Sequence, residues 1–176
     1  MVEPNAQDRK RKGNAILGSA VFFALAPGFV AGVVPGLLTG WEVGEHLPAP
    51  LRAFGAVLGL LGIAFLLHAF ARFALEGLGT PAPVAPTERL VVGGVYGFVR
   101  NPMYLAVLAV IAGQALFFGS AAAAGYAALV GLAFVAFVRV YEEPTLRTTY
   151  GAEYEAYCAE VPRWLPRLRR PCRGSS

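Results

Sequence analysis

Two short polar clusters border the most apolar part of this chain. One is "GVYGFVRNPMY", residues 94–104, with Tyr96, Arg100, Asn101 and Tyr104; the other is "RVYEE", residues 139–143, with Arg139, Glu142 and Glu143. Between them, Asn101 to Val138 run 38 residues without an Asp, Glu, Lys or Arg. Asn-Pro is a good helix start, because Asn caps and Pro fits the first helical position. Carboxylates beside the last apolar residues oppose the helix dipole, and ionisable groups near membrane depth are costly unless paired or facing water. Arginines, an amide, helix-start N–H groups and two carboxylates at one spot suit a zwitterionic ligand. The helix start and Arg100 attract its carboxylate, and the Glu pair attracts its ammonium.

Bringing the clusters together requires a hairpin. The 38-residue block is too long for one membrane helix of about 20 residues and suits two short ones, with Gly119-Ser120 as the turn. Position 100 then lies opposite roughly position 140. Two further charge-free blocks, Gly13–Trp41 and Ala53–Ala71, add spans. The expected spans are 14–38, 51–72, 102–118 and 121–140, with Pro27 and Pro35 kinking the first; a fifth short span there is the alternative. The composition agrees. The 176 residues are 56% hydrophobic and 15% charged, against about 25% charged in soluble domains, with mean hydropathy +0.55. The expected fold is therefore all-α: a polytopic membrane helix bundle in one domain, 1–176. Its parts are a basic cytoplasmic N-terminus at 1–12, two N-terminal spans in 13–78, a core at 79–168 and a basic tail at 169–176.

Lys/Arg asymmetry orients the bundle. "QDRKRKGN" carries four cations, the connection "WEVGEHLPAP" carries none, and the 73–100 loop and the tail hold most of the remaining arginines. Both termini and the site belong in the cytoplasm by this rule. The first block is too long for a secretory signal core and lacks a clean cleavage site. Cys158 and Cys172 then lie in a reducing compartment as inert thiols. The net charge of +4 points to anionic lipid headgroups rather than nucleic acid. The loop from 79 to 100 is extended by Pro81, Pro83 and Pro86, and Gly93-Gly94 permits positive φ or a close approach. Leu146, Tyr150, Tyr154, Tyr157 and Val161 recur at helical spacing and predict a cytoplasmic amphipathic helix, bent at Gly151, on the membrane surface. Its stripe is packing material, and Trp164 anchors at headgroup level. His68 is expected to be a packed, hydrogen-bonded residue. No zinc spacing, nucleophile triad or phosphate loop is present, and no metal is expected.

"LVVGGVYGFVRNPMY" followed by "YEEPTLRTTYGAEYEAYCAEVPRWLP" resembles the integral-membrane methyltransferases. That group includes isoprenylcysteine carboxyl methyltransferases and phospholipid (phosphatidylethanolamine) N-methyltransferases. The resemblance covers residues 79–168; the first two spans share only hydrophobicity with the family. It implies S-adenosylmethionine as cofactor on the cytosolic side and a lipophilic acceptor. Leu90, Val91 and Tyr96 would line the cofactor pocket, and Arg100, Asn101, Pro102, Met103 and Tyr104 occupy the stretch usually written Arg-His-Pro-x-Tyr. Glu142 and Glu143 match the Glu-Glu pair that holds the cofactor, and Arg139 stands near substrate-contacting arginines. Asn101 replaces the usual His and cannot act as a base. A carboxylate acceptor needs no general base; an amine must lose a proton, for which Glu142, Glu143 and Glu88 are the candidates. "YEEP" leans to the phospholipid branch, and "GVYGFVRNPMY" with "VPRWLP" leans to the isoprenylcysteine branch, which is the preferred label. The rival activities are an NADPH-dependent membrane reductase, disfavoured by Met103 where a Pro-Asn-Tyr segment would need Asn, and a non-enzymatic membrane scaffold or transporter. The oligomeric state is left open.

Overall fold

The computed structural model describes residues 26–44, 47–76 and 90–166. The described residues form helices and irregular segments with no strand. Helix α1 spans Phe29–Thr39, α2 Ala49–Glu76, α3 Pro102–Phe118, α4 Ala121–Tyr150 and α5 Ala152–Glu160. The expected start of the first span, the three loop prolines, Glu88 and the basic N-terminus and tail lie outside the described residues.

The hairpin turns at Gly119-Ser120, as its residue types require. Gly119 takes φ +67 to close α3, and the Ser120 hydroxyl caps α4 by accepting from Ala123 N–H at 3.2 Å. Helix α3 lies between α2 and α4. Its contact with α2 is close because both helices are bare where they meet. A Cβ added to Gly113 would fall 2.5 Å from Gly59 N and 2.7 Å from Gly55 O. Gly55 and Gly59 are four apart, so one face of α2 offers two gaps to α3, the small-residue crossing used where lipid supplies no hydrophobic drive between helices.

Helix α1 opens with a π-turn over Phe29–Val33, and Pro35 explains it. Proline has no N–H, so the α-helical partner of the Ala31 carbonyl is missing. Val34 N–H bonds back to Phe29 O, five residues away, which leaves the Val30 carbonyl without its usual partner too. Side chains of the neighbours replace both bonds. Gln114 Nε2 donates to Ala31 O at 2.6 Å, and Tyr126 Oη donates to Val30 O at 3.1 Å. Gln114 of α3 and Tyr126 of α4 thus repair a proline defect, as an apolar solvent demands.

Helix α4 departs from expectation. It does not stop near 140 but continues to Tyr150, passing Pro144 through a second π-turn, Val138–Glu142. Glu143 N–H reaches back to Val138 O, and the extra residue absorbs the proline. Leu146 and Tyr150 therefore belong to α4, and α5 begins only after Gly151 (φ +51).

Two helices, α2 and α4, are long and apolar enough to cross a membrane; α1 and α3 are shorter apolar helices. At 1.5 Å per residue α3 reaches about 25 Å, short of a hydrocarbon core of about 30 Å. The apolar residues of α2 and α4 mostly face outward: only 28% and 17% of their most apolar windows are buried. Leu60, Leu61, Leu129 and Leu132 are all more than 60% exposed. A surface of this kind is a liability in water and is what lipid covers. His68 is part of that exposed surface rather than packed inside the bundle.

Candidate functional site

The two polar clusters meet at the end of the hairpin remote from Gly119. The backbone turn at Asn101 starts α3, but the Asn101 side chain does not cap it. Its Nδ2 instead donates to the Arg163 carbonyl at 3.0 Å, and the adjoining Arg100 N–H donates to Pro162 O at 3.0 Å. The segment after α5 is thereby stitched across the entrance of α3. Gly94 (φ +58) sits on a 3₁₀ turn over the Arg72 guanidinium, where an added Cβ would be 3.0 Å from Nε. Tyr157 Oη donates to the carbonyl of Tyr96 in the same turn at 2.7 Å, joining α5 to the loop.

The adjacent glutamates face different neighbours, since successive helical residues are about 100° apart. Glu142 Oε2 accepts from the Tyr104 hydroxyl at 2.6 Å across the α3–α4 interface. Glu143 is 4% exposed and is surrounded by arginines. Arg163 binds it with both fork nitrogens at 2.6 and 2.7 Å, Arg100 Nη1 lies at 3.2 Å and Arg147 Nη1 at 3.7 Å. The Glu143 bonds hold the Arg163 guanidinium above its ordinary range. Arg100 Nη1 also reaches Cys158 Sγ (2.7 Å), so that cysteine abuts the ion cluster. Burial raises the Tyr154 and Tyr157 phenols above the usual tyrosine range, which keeps both hydroxyls protonated. Together with Val161, these tyrosines pack on Leu90, Val92, Leu146 and Tyr150, so the expected stripe of α5 covers the loop.

A cavity of about 420 Å³ opens between these pieces, within the range of about 300–1,000 Å³ usual for small-molecule pockets. Its polar lining includes Arg100, Asn101, Tyr104 and Glu142. Its apolar lining includes Val30, Leu66, Phe70, Val107 and Phe134, from α1, α2, α3 and α4. Leu90, Val91, Tyr96, Pro102, Met103 and Glu143 border it as well, so ten of the sequence-derived site residues surround one space. Arg139 does not. It is exposed on α4, outside the cavity wall, because the π-turn rotates Glu142 inward and leaves Arg139 on the outer side. Sequence reasoning missed Arg163 as the partner of Glu143 and the inward position of Trp164. The indole ring of Trp164 lies 6.4 Å from that of Tyr104 rather than serving only as an interface anchor. The available signal was "VPRWLP", in which an Arg and a Trp sit between two prolines close to the amphipathic stripe.

The exterior of the helices is apolar, and the cavity between them has both polar and apolar lining. The phospholipid methyltransferase family model matches residues 51–153, more than half of the chain, and the chain belongs to that family. The match takes in α2, the hairpin and both glutamates, and it stops before Tyr154, Cys158 and Arg163. No curated protein and no solved structure matches the chain. Family membership supports a membrane methyltransferase.

Proposed function

We propose that the protein uses S-adenosylmethionine to methylate the amine headgroup of a membrane phospholipid. The carrying observation is Glu142: it is a carboxylate on the cavity wall whose partner among the described residues is a tyrosine hydroxyl, not an arginine. The family description supports the lipid acceptor. An amine needs a proton acceptor and a counter-charge, which Glu142 offers; a prenylcysteine carboxylate needs neither and would be repelled by it. The phospholipid branch is therefore preferred here over the isoprenylcysteine label. A four-span course with both termini and the cavity in the cytoplasm is part of the same reading, supported by the Lys/Arg distribution.

The residues present fit the cofactor. Arg100 Nε is buried without a hydrogen-bond partner, on a residue bordering the cavity, and is a donor suited to a carboxylate. Asn101 adds to this end. Leu90, Val91, Pro102 and Met103 supply apolar walls, and the rings of Tyr96 and Tyr104 can face a cation. When bound, the cofactor supplies a sulfonium-activated methyl whose transfer leaves a neutral thioether. The chain contributes the rest. Glu142 accepts the proton of the ammonium headgroup, and Tyr104, donating to Glu142, keeps that carboxylate in place. Leu66, Phe70, Val107 and Phe134 form an apolar floor that holds the adjoining part of the lipid and excludes water.

Tritiated cofactor offered to purified protein with phospholipid and with a prenylcysteine analogue tests the assignment. Label in phospholipid that survives base is the expected result, with Glu142→Gln abolishing it. Base-labile volatile label from the prenylcysteine analogue would instead indicate a carboxyl ester. Absence of cofactor binding by calorimetry would sink the cofactor assignment.

A further inference from the structure

The Glu-Glu pair invites the assumption that both carboxylates serve the ligand, but the geometry divides them. Both Glu143 oxygens accept from Arg163, at 2.6 and 2.7 Å, and two further guanidinium groups stand within 3.7 Å. Such a carboxylate is already saturated, and taking it to serve an ammonium would leave the Arg100 and Arg163 guanidiniums, 12% and 29% exposed, without their carboxylate. What the cluster does is mechanical. Arg163 grips Glu143 on α4 with its side chain and takes the Asn101 amide of α3 with its carbonyl, while Pro162, one residue earlier, takes the Arg100 N–H. The 161–166 segment is thus clamped over the start of α3 at three points. Asn101 and Arg100, two of the residues that line the cavity, are held by it.

We infer that Arg163 is a positioning residue: latched on Glu143, it sets Arg100 and Asn101 for the cofactor's carboxylate end, and Glu142 alone of the glutamate pair contacts the ligand. A bidentate guanidinium fork is what such a latch requires, since a lysine offers charge without two fixed directions. The kinetic part rests on the methyltransferase reading; the structural part does not.

Trp164, next to the latch, provides a probe. Its indole nitrogen is buried, and in a Trp41→Phe background it is the chain's single tryptophan. In the full chain reconstituted in lipid nanodiscs, Arg163→Gln and Glu143→Gln should each shift Trp164 emission to the red and raise its quenching by acrylamide. Each should raise the cofactor KM about tenfold, the scale on which supporting residues tune ligand affinity, and leave the acceptor KM unchanged. The double variant should be no worse than either single one, because one latch is lost once. Arg163→Lys should recover part of the cofactor affinity, and it replaces Arg163→Gln as the readout if the latter does not fold. Glu142→Gln should lose methyl transfer with the Trp164 spectrum intact. Two results would overturn the inference: Glu143→Gln weakening cofactor binding with Trp164 unperturbed, or additive losses in the double variant. If the wild-type protein binds no cofactor, the methyltransferase reading fails, while red-shifted Trp164 in both single variants still upholds the latch and an unchanged spectrum overturns it.

Discussion

At the scale of single residues, the site is a set of polar groups whose partners lie far away in sequence. Tyr104 illustrates this. Its ring packs on Phe134 with centroids 4.6 Å apart, and its hydroxyl donates to Glu142, 38 positions later. Tyr104→Phe keeps the aromatic wall and removes the donor, so kcat/KM should fall by about 1.5–3 kcal/mol, the worth of a hydrogen bond to a charged group. Tritium transfer to phospholipid reads this, and an unchanged kcat/KM would separate Tyr104 from the chemistry. Tyr104, Glu142 and Asn101 were legible from the chain because their types are unusual beside a long apolar block. Arg163 was not. Its pairing with Glu143 depends on the chain reversing at Gly151 and returning past Val161, and no local pattern encodes that return. Asn101 was legible as a helix boundary, yet its side chain serves a different purpose, since the returning segment offers a carbonyl that outcompetes the cap.

At the scale of elements, prolines decide more than hydrophobicity does. Pro35 leaves the Ala31 and Val30 carbonyls of α1 to be satisfied by Gln114 and Tyr126, and Pro144 turns Glu142 and Glu143 to their different neighbours through the π-turn before it. Gln114→Leu should therefore destabilise the bundle by about 1 kcal/mol, as interhelical hydrogen bonds in membranes do. In a Pro35→Ala background residue 35 regains its N–H, and the loss should shrink. Thermal unfolding in detergent of the four variants checks the cycle; equal losses in both backgrounds would contradict the proline account. The sequence predicted a kink at Pro35, and only packing revealed that Gln114 answers it. For α4 the sequence suggested a stop near position 140, because charges begin there. The helix continues because the π-turn over Val138–Glu142 accommodates Pro144 without a break.

At the scale of the whole molecule, the apolar surface faces out and the polar groups gather at one end. Leu132, 70% exposed on α4, separates the two settings in which such a helix could sit. In water Leu132→Arg would be nearly neutral. In a membrane it should cost about 2.5–3.5 kcal/mol of insertion, visible as a loss of membrane-extracted folded protein, and a variant behaving as wild type would refute lipid at that face. The sequence by itself determined helical class, the hairpin turn at Gly119-Ser120, the membrane character and the company of Arg100, Asn101 and Tyr104 with Glu142 and Glu143. These rest on composition, periodicity and the residue types of one turn, all of which act locally. Tertiary structure alone decided that Glu142 faces the cavity while Glu143 is locked by Arg163, that Arg139 lies outside, and that α1 completes the apolar floor. Each of these depends on helix phase and on which segments return to meet, and one inserted residue in a π-turn changes phase by about 100° without leaving a mark in composition.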